Sequence, residues 1–235
     1  MIAVFVNAVA VLIGSLIGTR FGNSLDKRYS DGIMVAIGLI TAAIGIQSVM
    51  ASGNTLVMVL SLVAGTAVGI ALKLDKRIDS LGDVLKGKLE GTRLSGSRLG
   101  DAFVSSSVLF CVGTMTIIGS IKAGVSHDYS IIFTKSIMDF CSSMVFAAAL
   151  GVGVVFSTIS VIVVQGMLTL LGSLLEPVLT QAVISEMSAV GGAIFLGLAI
   201  NLLELRKERV RVGDMIPAVF LPILFLPLMN WLGLG

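Results

Sequence analysis

Charge is scarce in this 235-residue chain. Asp, Glu, Lys and Arg make up 13 % of it against 56 % hydrophobic residues, and the mean hydropathy is +1.04. A soluble domain of this length cannot bury so much apolar surface. The longest polar segment, about Lys73 to Asp101, is too short for a core of its own, so no extramembrane catalytic domain is expected. Histidine is nearly absent. The single His127 stands beside Asp128 in a polar gap, which argues against a haem or metal enzyme. The two cysteines, Cys111 and Cys141, lie in apolar stretches without ligand spacing and read as small buried hydrophobes rather than a disulfide or metal pair.

Catalytic motifs are missing as well. The chain has no Gly-Lys-Ser/Thr phosphate loop, no His-Glu-x-x-His, no paired intramembrane Asp of protease type and no Gly-x-Ser-x-Gly elbow. No span carries the repeated Arg of a voltage sensor. The expectation is a protein that is not an enzyme and uses no cofactor and no metal. A cleavable leader is not expected either, because Met1–Phe5 lacks a basic start and Arg20 follows the first apolar run. That run reads as a retained anchor.

What the chain has is apolar runs of bilayer length. A helix needs about 20 apolar residues to cross the hydrocarbon core, and candidate spans fall at 2–21, 32–51, 55–72, 102–121, 137–156, 159–175, 185–204 and 215–233. Backbone polar groups in lipid must bond within the segment, so such spans are helices. The fold class is therefore all-α, a polytopic bundle of about eight spans in a single transmembrane domain, 1–235. The weakest boundary lies within 137–175, where Phe156-Ser157-Thr158-Ile159 is the only hint of a turn. One broken helix there would give seven spans.

Basic residues sort the gaps. Arg20, Lys27 and Arg28 follow the first span. Lys73, Lys76, Arg77, Lys86, Lys88, Arg93 and Arg98 follow the third, and Arg206, Lys207, Arg209 and Arg211 the seventh. The gaps near Gly53 and Gln181 hold no Lys or Arg. Basic loops favour the cytoplasm, so these three gaps are expected to face inward, with both termini outside. In the loop 73–101, Ile78, Leu81, Val84, Leu85 and Leu89 recur at helical spacing against charged neighbours. This reads as an amphipathic helix on the membrane surface or an ordinary linker helix. Gly91 to Gly100 reads as a flexible connector.

Small residues recur at Gly14–Gly18, Gly65–Gly69 and Gly192–Gly197, faces that let helices approach closely. They make a homodimer plausible. Short matches, such as Ala42-Ala43-Ile44-Gly45 with Ala148-Ala149-Leu150-Gly151, suggest a repeat of 1–72 in 102–175. Three spans each would make the copies inverted, as in many transporters, with a helix pair at 185–235 completing the bundle.

Ionisable groups at membrane depth are costly and mark function. Asp139 follows Lys135 by four residues, the spacing of a helical ion pair. Asp31, near Lys27, is either a second such group or a cap of the second span with Ser30. Asn7, Gln47, Ser142, Ser143, Gln165 and Asn201 are neutral polar residues within spans. Gln165 and Asn201, in apolar surroundings, are expected to hydrogen-bond across helices. Glu176 and Glu186 read as solvated helix ends.

Cys111-Val112-Gly113-Thr114-Met115, Gly119-Ser120-Ile121 and Lys135-Ser136-Ile137-Met138-Asp139 together resemble a bacterial family catalogued as domain of unknown function 554. Asn7, Gln165-Gly166, Gly191-Gly192, Asn201-Leu202-Leu203 and Val212–Pro217 extend the resemblance over essentially the whole chain. Phe140 and Lys122-Ala123 depart from the family pattern. The resemblance implies a bacterial inner-membrane protein and supplies no substrate. The functional expectation is a secondary transporter or channel-like carrier of a small solute or ion. The alternative is a membrane scaffold or regulatory subunit acting through its basic loop on a partner or anionic lipid. The bilayer and a small solute are the expected partners; nucleic acid is not.

Overall fold

The computed structural model describes residues 1–22, 26–78, 80, 99–111 and 113–233. The expected amphipathic helix and flexible connector fall almost entirely outside these residues. Among the described residues the chain is helical, without strands: α1 (Ile2–Gly22), α2 (Lys27–Met50), α3 (Thr55–Leu72), α4 (Leu99–Cys111), α5 (Thr114–Val125), α6 (Ser130–Leu150), α7 (Ser157–Leu170), α8 (Gln181–Leu202) and α9 (Pro222–Trp231). Tight 3-10 segments precede α7 (Val152–Phe156) and α9 (Val212–Phe220). Among the described residues, six helical spans are long and apolar enough to cross a membrane, and two bent pairs raise the number to eight if each pair is one span.

Several expected boundaries are corrected. The fifth span begins at Ser130 and the chain turns at Gly151 rather than at 156–159. Gly151 has φ +83°, a conformation glycine adopts without the clash a Cβ would add. It ends α6, so 130–150 and 152–170 form two spans. The fourth span is broken, with α4 and α5 inclined by 58°. The second bent pair, Val212–Phe220 with α9, makes an angle of 47° and carries Pro217 and Pro222, which remove backbone donors. Helix α2 starts at Lys27 with Asp26 as its N-cap residue, so Asp31 is in the second turn and does not cap it.

Glycines set the packing. Gly14, Gly18 and Gly22 lie against the backbone of Phe140, Met144 and Ala148. Both series rise by four residues, so α1 and α6 run parallel in close contact. Gly65 and Gly69 of α3 meet Ala218 and Asp214, and Gly45 of α2 meets Gly192 of α8. These are the small-residue faces expected from the sequence, acting as contacts where lipid supplies no hydrophobic drive. The inverted repeat is not established by this arrangement: α1 is continuous over 21 residues, whereas its supposed counterpart is broken.

The connections fall on two faces. On one, the Asp75 carboxylate accepts from Arg209 at 2.7 Å and from the Gly213 N–H at 3.3 Å, while the Asp75 N–H donates to Asp214 at 3.0 Å. Residues 73–78 after α3 and the loop after α8 therefore share one basic face. On the opposite face Glu186 is buried, a correction to its expected solvation. Its carboxylate accepts from the Ser52 hydroxyl at 2.7 Å and from the N–H groups of Gly53 and Asn54 at 2.6 and 2.8 Å. Asn54 in turn caps α3, accepting from Leu56 and Val57. Glu186→Ala is expected to lower stability by about 2–3 kcal/mol, because three donors lose a charged acceptor. Glu186→Gln is expected to recover part of that in a thermal-unfolding comparison, since its carbonyl oxygen still accepts.

Candidate functional site

Asp139 is the tenth residue of the 21-residue α6, roughly 14 Å from its start at 1.5 Å per residue and so near the middle of a 30 Å hydrocarbon core. Lys135 and Asp139 are each 6 % exposed. The Lys135 ammonium donates to Asp139 Oδ2 at 2.5 Å, and the Asn7 amide donates to the same oxygen at 3.0 Å. Helix α1 can present Asn7 there because its glycines bring it against α6. Lys135 also lies 6.0 Å from the centre of the Phe110 ring, within reach of cation–π attraction. The pair is thus compensated before any ligand enters, as buried charges must be.

The break between α4 and α5 lies beside this pair. A cavity of about 490 Å³ is lined by Gly113, Thr114 and Met115 from the break, by Lys135 and Asp139, and by Gln47. Ser142, Thr41, Ser185 and Ser188 add hydroxyls to its wall. It extends to Ala51 and Ser185 at the ends of α2 and α8 on the Glu186 face. At the break, the Thr116 hydroxyl donates to the Phe110 carbonyl at 2.8 Å, satisfying a group the interrupted helix no longer covers. A Cβ on Gly113 would meet nothing within 4 Å, so this residue borders open space.

A second cavity of about 500 Å³ lies toward the basic face, lined by Ser105, Asn201, Arg206, Lys207 and Arg209 among others. The two cavities share helices one turn apart. Phe146 and Phe195 line the first, while Leu150 and Leu198 line the second. Apolar residues one turn apart on α6 and α8 thus line the two cavities.

The expected site residues divide accordingly. Lys135, Asp139, Gln47 and Ser142 line one cavity, with Asn7 behind them. Ser143 does not join them; its hydroxyl donates to the Phe140 carbonyl and packs against Gly14. Asn201 lines the other cavity, and its amide donates to and accepts from the Val210 backbone at 2.8 and 2.7 Å. It thus closes its own connecting loop instead of bridging helices. Gln165 is fully buried, with neither amide atom hydrogen-bonded, contrary to the expected interhelical bond. Asp31 is exposed and away from both cavities. Sequence reasoning missed the break at Gly113, the Ser188 hydroxyl and buried Glu186. Only the Gly-Thr pair at 113–114, inside an otherwise apolar run, hinted at the break. Among the described residues, no three His, Cys, Asp or Glu side chains group as metal ligands.

Residues 2–227 match the family described as protein of unknown function DUF554. The chain belongs to this family. The motif at 111–115 and the pair Lys135–Asp139, which carried the family resemblance, are the elements that meet at the cavity. Two relatives from distant bacteria match over nearly their full length. The Uncharacterized membrane protein YdfK of Bacillus subtilis (strain 168) is 25 % identical over 226 residues, covering 94 % of each chain. The Uncharacterized protein YqgA of Escherichia coli (strain K12) is 29 % identical over 223 residues, again 94 % of each. No solved structure matches this chain. The protein is a helical membrane protein of the DUF554 family.

Proposed function

We propose that this protein is a secondary transporter of a small polar solute in the bacterial inner membrane, its basic face in the cytoplasm and both termini outside. The observation that carries this reading is the shared cavity at mid-membrane depth. It joins an interrupted helix to a buried, compensated ion pair. Irregular backbone is tolerated in a bilayer where it is buried in protein or lines an aqueous cavity, and broken helices with polar residues at the midplane are how transporters build substrate sites. The two cavities, lined by residues one turn apart on α6 and α8, support the same reading, since a carrier must open to each side in turn. Basic residues on one face supply the orientation.

Uptake tests it. Proteoliposomes holding the full chain are expected to accumulate a component of an isotopically labelled small-metabolite extract above empty liposomes. The double variant Lys135→Met/Asp139→Leu is expected to take up less than a tenth as much. Equal uptake by the two proteins would contradict the assignment of this cavity as the pathway.

A further inference from the structure

Resting on the transport reading, we propose that the cavity at the Gly113 break binds a small zwitterion of the amino-acid class, its carboxylate on the N-terminus of α5 and its ammonium on Asp139. Helix α5 has twelve residues and Gly113 as N-cap, with no side-chain cap. The N–H groups of Thr116 and Ile117 return to the Gly113 carbonyl. Those of Thr114 and Met115, the first two helical residues, belong to the donors a helix cannot satisfy itself. Both residues line the cavity, where the positive end of the helix dipole favours an anionic group.

The opposite end of the ligand is fixed by Asp139. Both protein donors, Lys135 and Asn7, converge on Oδ2, which leaves Oδ1 of this cavity-lining carboxylate to a third donor. Hydroxyl groups complete the wall: Thr41 is 1 % exposed and faces the cavity, and the Ser188 oxygen is buried without a partner. These groups point to a ligand with more than one polar end.

Charge balance selects the class. Lys135 and Asp139 cancel, so the cavity has no net side-chain charge to neutralise an ion. A lone cation would leave Lys135 and the ligand as two positive charges beside one carboxylate. A lone anion would satisfy the helix end and leave Oδ1 unused. A molecule carrying both charges uses both ends and enters neutral overall, which limits the cost of placing it at membrane depth. Met115, Met138, Phe146 and Phe195 line the same space and suit a short apolar side chain.

The experiment measures binding to the purified full-length protein in nanodiscs. The probes are the common L-amino acids, with butyrate and n-butylamine as single-charge halves of a four-carbon amino acid. At least one amino acid is expected to bind, ten times or more tightly than either half. Thr114→Pro is expected to bind it at least tenfold more weakly than Thr114→Ala. Proline is tolerated at the first helical position but lacks the N–H, and Gly113 already has the extended conformation (ψ 148°) that proline requires of the preceding residue. Gly113→Val, whose side chain enters open space, is expected to lose binding while keeping the wild-type unfolding temperature. Butyrate or butylamine binding as tightly as the amino acid would overturn the proposal, as would equal affinities for the two Thr114 variants. No amino acid binding, with Ser142→Cys still modified by an aqueous thiol reagent, would overturn this ligand class and leave the transport reading standing. An unreachable thiol would instead reject that reading.

Discussion

Asp139→Ala is expected to lower the unfolding free energy by about 3–5 kcal/mol, the usual consequence of removing one partner of a buried pair. Lys135 would keep its charge at a position 6 % exposed, with no carboxylate to accept from it. Removing both charges has a different expected outcome. Lys135→Met/Asp139→Leu replaces the pair with apolar groups of similar length, a change that is often neutral or stabilising. The double variant is therefore expected to unfold within about 1 kcal/mol of wild type while being inactive in uptake. Thermal unfolding in one detergent, read for all three proteins, checks this. A double variant as unstable as Asp139→Ala would show that the pair is structural and that its loss of uptake says nothing about the pathway.

Gly69→Leu is expected to prevent assembly of the bundle. A Cβ there would run into the carbonyl oxygen of Asp214, and one on Gly65 into the backbone of Ala218. Backbone cannot move aside as a side chain can, so α3 would have to leave the Val212–Phe220 segment. Overpacking typically costs about 1–3 kcal/mol and sometimes more; here the displacement would also pull on the Asp75–Arg209–Asp214 network. Gly32→Leu is the matched control, since a Cβ on Gly32 meets nothing within 4 Å. The expected result on size-exclusion chromatography is an aggregated Gly69→Leu and a monodisperse Gly32→Leu. Monodisperse Gly69→Leu with an unchanged unfolding temperature would contradict the packing described.

How far the sequence disclosed this arrangement follows from what each signal measures. Hydropathy integrates over a span, so it located the crossings and the basic gaps but not the turn at Gly151, where apolar residues continue on both sides. The break at Gly113 was hidden for the same reason: Val108–Cys111 and Ile117–Ile118 are apolar and no proline interrupts them. Helical spacing disclosed the Lys135–Asp139 pair because both residues sit on one helix. It could not disclose Asn7, 132 residues away, nor the capture of the 52–54 backbone by Glu186. Those contacts depend on which helices become neighbours, and the glycines say only that some close neighbour exists. The unbonded amide of Gln165 has no counterpart in the sequence, where a buried amide promises a partner.

The cavity beside the broken helix is most directly tested by its access to water. Ser142→Cys, in a chain with Cys111→Ala and Cys141→Ser, is expected to react with a membrane-impermeant thiol reagent applied to the face opposite the basic loops. Ile159→Cys, which is 60 % exposed on the apolar surface of α7, is expected to stay unlabelled. If Ser142→Cys resists the reagent from both faces while a denatured sample reacts fully, the cavity is closed to solutes and the central claim fails.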